Sequence, residues 1–351
     1  MLDELLRKIE PLDINSMKAA QMKLDGLTKP LGSLGKLEEI VVRLAGINGS
    51  TSPKVDNKAT IIMCADNGVV EEGVSSCPKS VTASVTCNFT RGITGINVFS
   101  RLTGAKTVIV DIGVDADILY SNILNRKIRK GTWNMAKGPA MTRDEAIKGI
   151  QVGIDIVKDL KADGINLLGT GEMGIGNTST SSAITAVLTG MPVNDIVGVG
   201  SGLSKKAYIN KIEVIKRAIE INQPNSEEPI DVIAKVGGFD IAGLTGCFLG
   251  AAIYRIPIVI DGFISAVAAL AAVRIHPGAR DYMLPSHGSA EPGTAAVMKA
   301  LTMEPMLNLN MRLGEGTGAA LGYQLFDAAI AAYTQMGSFE DASIEQYVPQ
   351  E

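Results

Sequence analysis

The feature that most constrains the fold of this chain is a set of short β-branched runs, each ending in a glycine, an acid or both. They are "ATIIMCADNG" at 59–68, "TVIVDIGVD" at 107–115, "INLLGTGE" at 165–172 and "IPIVIDGF" at 256–263. Continuous apolar runs of this length read as strands buried on both faces. Helical patterns lie between them; in "KIEVIKRAIEIN" at 211–222, Ile212, Val214, Ile215, Ala218 and Ile219 gather on one face. Strands alternating with helices predict an α/β fold, a doubly wound parallel sheet with helices on both faces. Ligands of such sheets sit beyond the carboxyl ends of the strands, where Asp66, Asp111, Glu172 and Asp261 fall. These four acids are expected to face one cleft.

The two ends of the chain have a different pattern. Residues 2–9 and 14–25 read as helices, followed by the turn-rich "TKPLGSLGKLEE" and a third helix through "EEIVVRLAGI". The last 30 or so residues also read as helical, and neither end supplies a strand. The expectation is a small helical lobe built from 1–50 and 323–351, set against a large parallel α/β domain over 51–322 that holds the active site. A chain of 351 residues is long enough for both.

Several functional classes are excluded by composition. The formal charge is only -4 with the signs interspersed, and no Lys/Arg-rich run with interleaved aromatics suggests a nucleic-acid surface. Apolar runs such as "FISAVAALAAV" fall short of the roughly 20 residues of a membrane span. The N-terminal "MLDELLRKIEPLD" carries acids among its leucines and does not resemble a secretory signal. Cys64, Cys77, Cys87 and Cys247 form no CxxC pair and have no histidine at a metal-ligand spacing, so no metal is expected and a reduced, cytoplasmic setting fits.

Five glycine-rich loops hold the unusual residue combinations: 64–82, 169–180, 198–211, 235–240 and 312–320. None is a Walker A loop, and "GTGEMG" places an acid where a dinucleotide pyrophosphate needs close backbone approach, which counts against a dehydrogenase. No paired-acid strand end precedes a glycine-threonine phosphate loop, so a single phosphate held without metal is the easier fit. Lys211, at the start of the 211–222 pattern, is a cation where a helix dipole disfavours one, and a bound anion would reverse the penalty. Arg312 is a second cation beside a glycine loop. In "MRLGEGTGAA" a lone carboxylate, Glu315, stands among glycines that would otherwise offer N–H groups to an anion. A helix start lowers such a pKa and burial raises it, and the balance suits a general base. Glu172 in "GTGEMGIGN" is the second acid of this kind. His276 and His287 lack a serine–acid partner set and read as structural.

These loops, taken with "LDGLTKPLGSLGKLE", "NFTRGITGINV", "INQPN", "DGFISAVAAL", "PSHGSAE" and "MEPML", resemble in order the nicotinate-nucleotide:dimethylbenzimidazole phosphoribosyltransferase family, which makes the α-ribazole phosphate of the cobamide lower ligand. The likeness runs through nearly the whole chain. It implies a Rossmann-like sheet domain, a small lobe from both chain ends and a dimer whose partner helps close the base pocket. It also implies Glu315 as the general base and Glu172 as the ribose-binding acid. Nucleotide contacts would fall on Gly174, Gly202, Lys211, Gly262, Ser289 and the Arg312, Leu313 and Gly314 stretch, with no cofactor. The substrates would be nicotinate mononucleotide and an aromatic acceptor.

The sequence departs from the family pattern at the acceptor. Asn67 stands where many relatives have the histidine of Asp-His-Gly, and Cys77 and Val85 stand at polar pocket positions, with Met173 beside Glu172. A less polar pocket would leave an imidazole nitrogen unpaired, at a cost of about 1–3 kcal/mol. Dimethylbenzimidazole or a related base is the primary expectation. A phenol or p-cresol joined through oxygen is an alternative, either in a homodimer or in a heterodimer with a paralogous subunit. A third reading is a weakly catalytic partner subunit, against which the retention of both glutamates argues.

Overall fold

The computed structural model describes residues 2–200 and 202–346. Six strands form one sheet: β1 (Lys58–Ala65), β2 (Lys106–Gly113), β3 (Ile123–Asn125), β4 (Leu167–Met173), β5 (Ile258–Ile260) and β6 (Met283–Pro285). Their order is β3-β2-β1-β4-β5-β6, and every pairing is parallel. The strand order reverses between β1 and β4, which makes their carboxyl ends the crevice where ligands of doubly wound sheets bind. The four strands expected from sequence are present. β3 and β6 were not expected: they are no shorter than β5, but β5 lies in the continuous apolar run "IPIVIDGF", whereas they lie in segments broken by polar residues and proline.

Side chains alternate across β4 and show what covers each face. Cβ atoms on Gly169 and Gly171 would collide with Tyr323 and with the backbone of Glu315, so the helix Thr317–Gln335 and the loop before it lie directly on that face. Thr170 points the other way, 2.6 Å from Ser265 of the helix Phe263–Ile275. On that second face, helices Arg143–Ala162 and Phe239–Ile253 cross with their backbones touching. A Cβ on Gly153 would strike the Gly243 carbonyl, and one on Gly246 would strike that of Ile150. All eight residues of β1 are buried. No helix among the described residues is long and apolar enough to cross a membrane.

At the N-terminus, the helices are Leu2–Leu6, Ile14–Asp25 and Lys36–Asn48, so the first is shorter than the 2–9 expected. They pack with the C-terminal helix: the Tyr333 hydroxyl donates to the Thr51 carbonyl at 2.9 Å, and Leu27 bridges Ser338. That last helix stops at Gln335 and turns follow it, because Gly337 and the Ser338–Asp341 hydrogen bonds end it; residues 347–351 of the expected helical stretch lie outside the described residues.

Candidate active site

A cavity of about 440 Å³ opens beside the switch point, within the range of small-molecule sites. Its floor is the carboxyl edge of the sheet: Glu172 and Met173 end β4, Asp261 and Gly262 follow β5, and His287 and Ser289 follow β6. The loop Arg312–Glu315 forms one wall, and the first residues of the helix Asn177–Thr189 form another.

Glu315 adopts a left-handed conformation, φ 61°, between Gly314 at 81° and Gly316 at 91°. A non-glycine residue is held there only when its surroundings over-determine it. Two contacts do so. Gly171 seats the Glu315 carbonyl against β4, and the Asp261 carboxylate accepts from the N–H groups of Gly316 (3.2 Å), Gly318 (2.7 Å) and Ala319 (3.0 Å), which caps the helix Thr317–Gln335. The Glu315 side chain then turns away from its own helix and accepts from the Ile96 N–H at 3.1 Å, at the first turn of the helix Gly95–Thr103. The helix start that the sequence suggested for this acid therefore belongs to a different helix. Burial raises the Glu315 pKa above the usual carboxylate range, partly offset by the Ile96 and Gly95 N–H groups.

Glu172 has a different environment. Its carboxylate accepts from the side-chain amide of Asn177, and the same nitrogen donates to Asp240 at 3.0 Å. Burial first, then the nearby Asp240 charge, push Glu172 up to about 8. Burial likewise raises Asp240 to about 6, against donors that include the Ile241 N–H at 3.0 Å. Neither Asn177 nor Asp240 was singled out from sequence, although both lie in glycine loops that were. Gly174 and Gly238 are the signal, since a Cβ on either would run into Asp240.

Around the start of the helix Asn177–Thr189 the cavity walls suit an anion. The Gly176–Thr178 turn opens a 13-residue helix, and Gly200, Gly202, Ser289 and Arg312 line the space in front of it. Lys211 lies just behind this wall and is fully buried, with its ammonium 2.9 Å from Thr178 Oγ1 and 3.3 Å from the Gly198 carbonyl. Its helix begins at Lys205, capped by Ser204, and not at Lys211 as the apolar pattern suggested. The lysine is thus a mid-helix residue aimed inward. Burial lowers its pKa to about 8, with Glu291 opposing, and Glu291 is itself raised by burial.

Gly174, Gly202, Gly262, Ser289, Arg312, Leu313, Gly314, Met173 and Val85 therefore meet Glu172 and Glu315 around one cavity. Cys77 is not among the residues lining it, whereas Ser75, two positions earlier, is. Asn67 is buried behind Gly174. Of the four strand-end acids, only Glu172 and Asp261 reach the cavity. Asp66 accepts from the Asp115 N–H at 2.7 Å, and Asp111 accepts from Val114 N–H and pairs with Lys127 at 3.1 Å, so both brace loops on the β2 side. His287 also lines the cavity, 3.9 Å from Asp261.

A family model described as phosphoribosyltransferase matches residues 9–344. Together with the parallel sheet and the cavity at its carboxyl edge, this match defines the chain as a phosphoribosyltransferase. A protein of Ruminiclostridium cellulolyticum is 65% identical over 349 residues, 99% of each chain. One of Clostridium acetobutylicum is 64% identical over 348 residues, again 99% of each. Both are named nicotinate-nucleotide–dimethylbenzimidazole phosphoribosyltransferase. The solved structure of the Thermus thermophilus protein of that name superposes with a TM-score of 0.90 at 37% identity, covering 95% of this chain and 99% of that one. The chain belongs to the nicotinate-nucleotide–dimethylbenzimidazole phosphoribosyltransferase family.

Proposed function

We propose that this chain transfers the phosphoribosyl group of nicotinate mononucleotide to dimethylbenzimidazole or a related lower-ligand base, giving nicotinate and an α-linked ribotide. The observation that carries this reading is Glu315, held with a left-handed backbone in a glycine loop on the wall of the cavity that ends β4. The glycosidic nitrogen of nicotinate mononucleotide is cationic, so nicotinate leaves with a neutral ring nitrogen and needs no general acid. The acceptor is what needs help. Glu315 takes the N–H proton of the benzimidazole while the other ring nitrogen attacks C1′ from the face opposite the leaving group, which converts a β linkage into an α linkage. General-base assistance of this kind contributes roughly 10²–10⁴-fold, and positioning supplies the remainder.

The phosphate is read into the space between the Gly176–Thr178 helix start, Gly202, Ser289 and Arg312, with Lys211 supplying positive charge from behind. Val85 and Met173 give the acceptor side an apolar wall. Leu313 on the cavity wall is exposed, as are Ile93, Val98 and Leu102 on and just before the helix Gly95–Thr103, and such exposed apolar surface supports a dimer, whether with a second copy or with a paralogue. Four free cysteines fit a cytoplasmic setting.

The test is nicotinate release from nicotinate mononucleotide by the purified chain with dimethylbenzimidazole, adenine, phenol or p-cresol. Release with nitrogen bases is expected. Release with phenols alone would replace the acceptor with an oxygen nucleophile, and no release with any acceptor would sink the assignment of activity to this chain by itself.

A further inference from the structure

Two buried carboxylates in this site share one nitrogen. The Asn177 amide donates to both Glu172 and Asp240, and both acids are at least nine-tenths buried. The charged and titratable groups facing them are Asp261 after β5, Glu315 on the glycine loop and Cys64 on β1, whose thiol burial holds protonated. His287, 3.9 Å from Asp261, and Arg312 also line the cavity, and neither pairs with Glu172 or Asp240 among the described residues. The Lys211 ammonium is turned toward Thr178 and Gly198 instead. Two carboxylates so close, with no cation paired to either, cannot both ionise near neutral pH and must share a proton.

The geometry also indicates which of the two keeps it. Asp240 sits in the first turn of the 15-residue helix Phe239–Ile253 and accepts a second hydrogen bond from the Ile241 N–H, both of which favour an anion. Glu172 accepts from no backbone N–H among the described residues, and its Oε1 packs against Gly314 in the cavity wall. We propose that Asp240 is a positioning residue that, across the shared Asn177 amide, keeps the proton on Glu172, so that Glu172 meets the phosphoribosyl group as a hydrogen-bond donor. The consequence for substrate, which rests on the reading of the cavity given above, is twofold. A neutral Glu172 repels the phosphate less, and it leaves Glu315 as the carboxylate free to take the acceptor's proton.

The proton assignment is tested without substrate, by carbon-13 NMR of carboxyl-labelled glutamates, with Glu172→Gln identifying the resonance. In the wild type, the Glu172 carboxyl should remain protonated at neutral pH and ionise near pH 8. In Asp240→Asn it should ionise at least about one unit lower, because the neighbouring anion is gone. The alkaline limb of the nicotinate-release profile should move down with it, since it is the protonated acid that acts. Glu172 found ionised at neutral pH in the wild type would overturn the proposal, and would do so even if Asp240→Asn failed to fold. An unmoved resonance in a folded Asp240→Asn would overturn it as well. A protonated Glu172 in a chain that releases no nicotinate would leave the proton assignment standing and count against the functional reading alone.

Discussion

The end of β4 and the loop that opens the last helix each present one glutamate among glycines, and they interlock. Gly171 of the first makes room for the backbone of Glu315, and Gly314 of the second makes room for the carboxylate of Glu172. The environments nonetheless diverge. Glu315 leans on the backbone N–H groups of a helix start, whereas Glu172 is fully buried and shares its donor with another acid. Residue type and loop chemistry are thus nearly constant between the two, and the donors around each side chain separate their roles. One suits a proton acceptor and the other a proton donor.

The same substitution at both sites should therefore give unequal results. Glu315→Gln is expected to leave nucleotide binding nearly intact and to lower turnover by at least about a hundredfold, since an amide takes no proton. Isothermal titration with nicotinate mononucleotide, set beside steady-state nicotinate release, separates the two quantities; near-normal turnover would remove Glu315 from the base role. Gly171→Ala tests the interlock itself. Its methyl would meet the Glu315 carbonyl and the Gly316 nitrogen, backbone atoms that cannot swing aside, so the loop must lift. Displacement of a catalytic group by about 1 Å can cost on the order of 100-fold, and overpacking costs about 1–3 kcal/mol of stability. Turnover and melting temperature should fall together, and a variant that melts earlier but turns over normally would show that the loop tolerates the shift.

How far the sequence discloses this arrangement depends on whether a feature is local. β1, β2, β4 and β5 are legible because each lies in a continuous apolar run, whereas β3 and β6, as short as β5, lie in segments broken by polar residues and proline. Glu315 is legible because a lone acid between glycines is locally anomalous. Asp66 and Asp111 end strands just as Glu172 and Asp261 do, yet they turn to backbone N–H groups at Asp115 and Val114 and never reach the cavity. Lys211 does not start its helix, as the apolar pattern suggests, but lies fully buried on the inner face of a longer helix capped by Ser204. Asn177 and Asp240 acquire their importance only when β4 and a helix more than sixty residues later come together.

The smallest effect is expected at Glu172, and it is the one that discriminates best. A side chain that works as a neutral donor is well imitated by an amide, so Glu172→Gln should cost no more than about tenfold in turnover, against the far larger loss at Glu315. Stability should change in a way that depends on pH. The folded Glu172 carboxyl, at about 8, lies above its ordinary value of 4.5, so the folded protein binds the proton more tightly than the unfolded chain does. Its contribution is fully present below pH 4.5 and is lost as pH rises toward about 8, because ionising the buried acid in the fold costs free energy. At about 1.4 kcal/mol per pKa unit, the loss is of the order of 5 kcal/mol. Denaturant melts across that window should show wild-type stability sloping downward with pH and the Glu172→Gln slope flattened. Parallel slopes would mean that Glu172 ionises in the folded protein as easily as in the unfolded one, and the two glutamates would then differ in position alone.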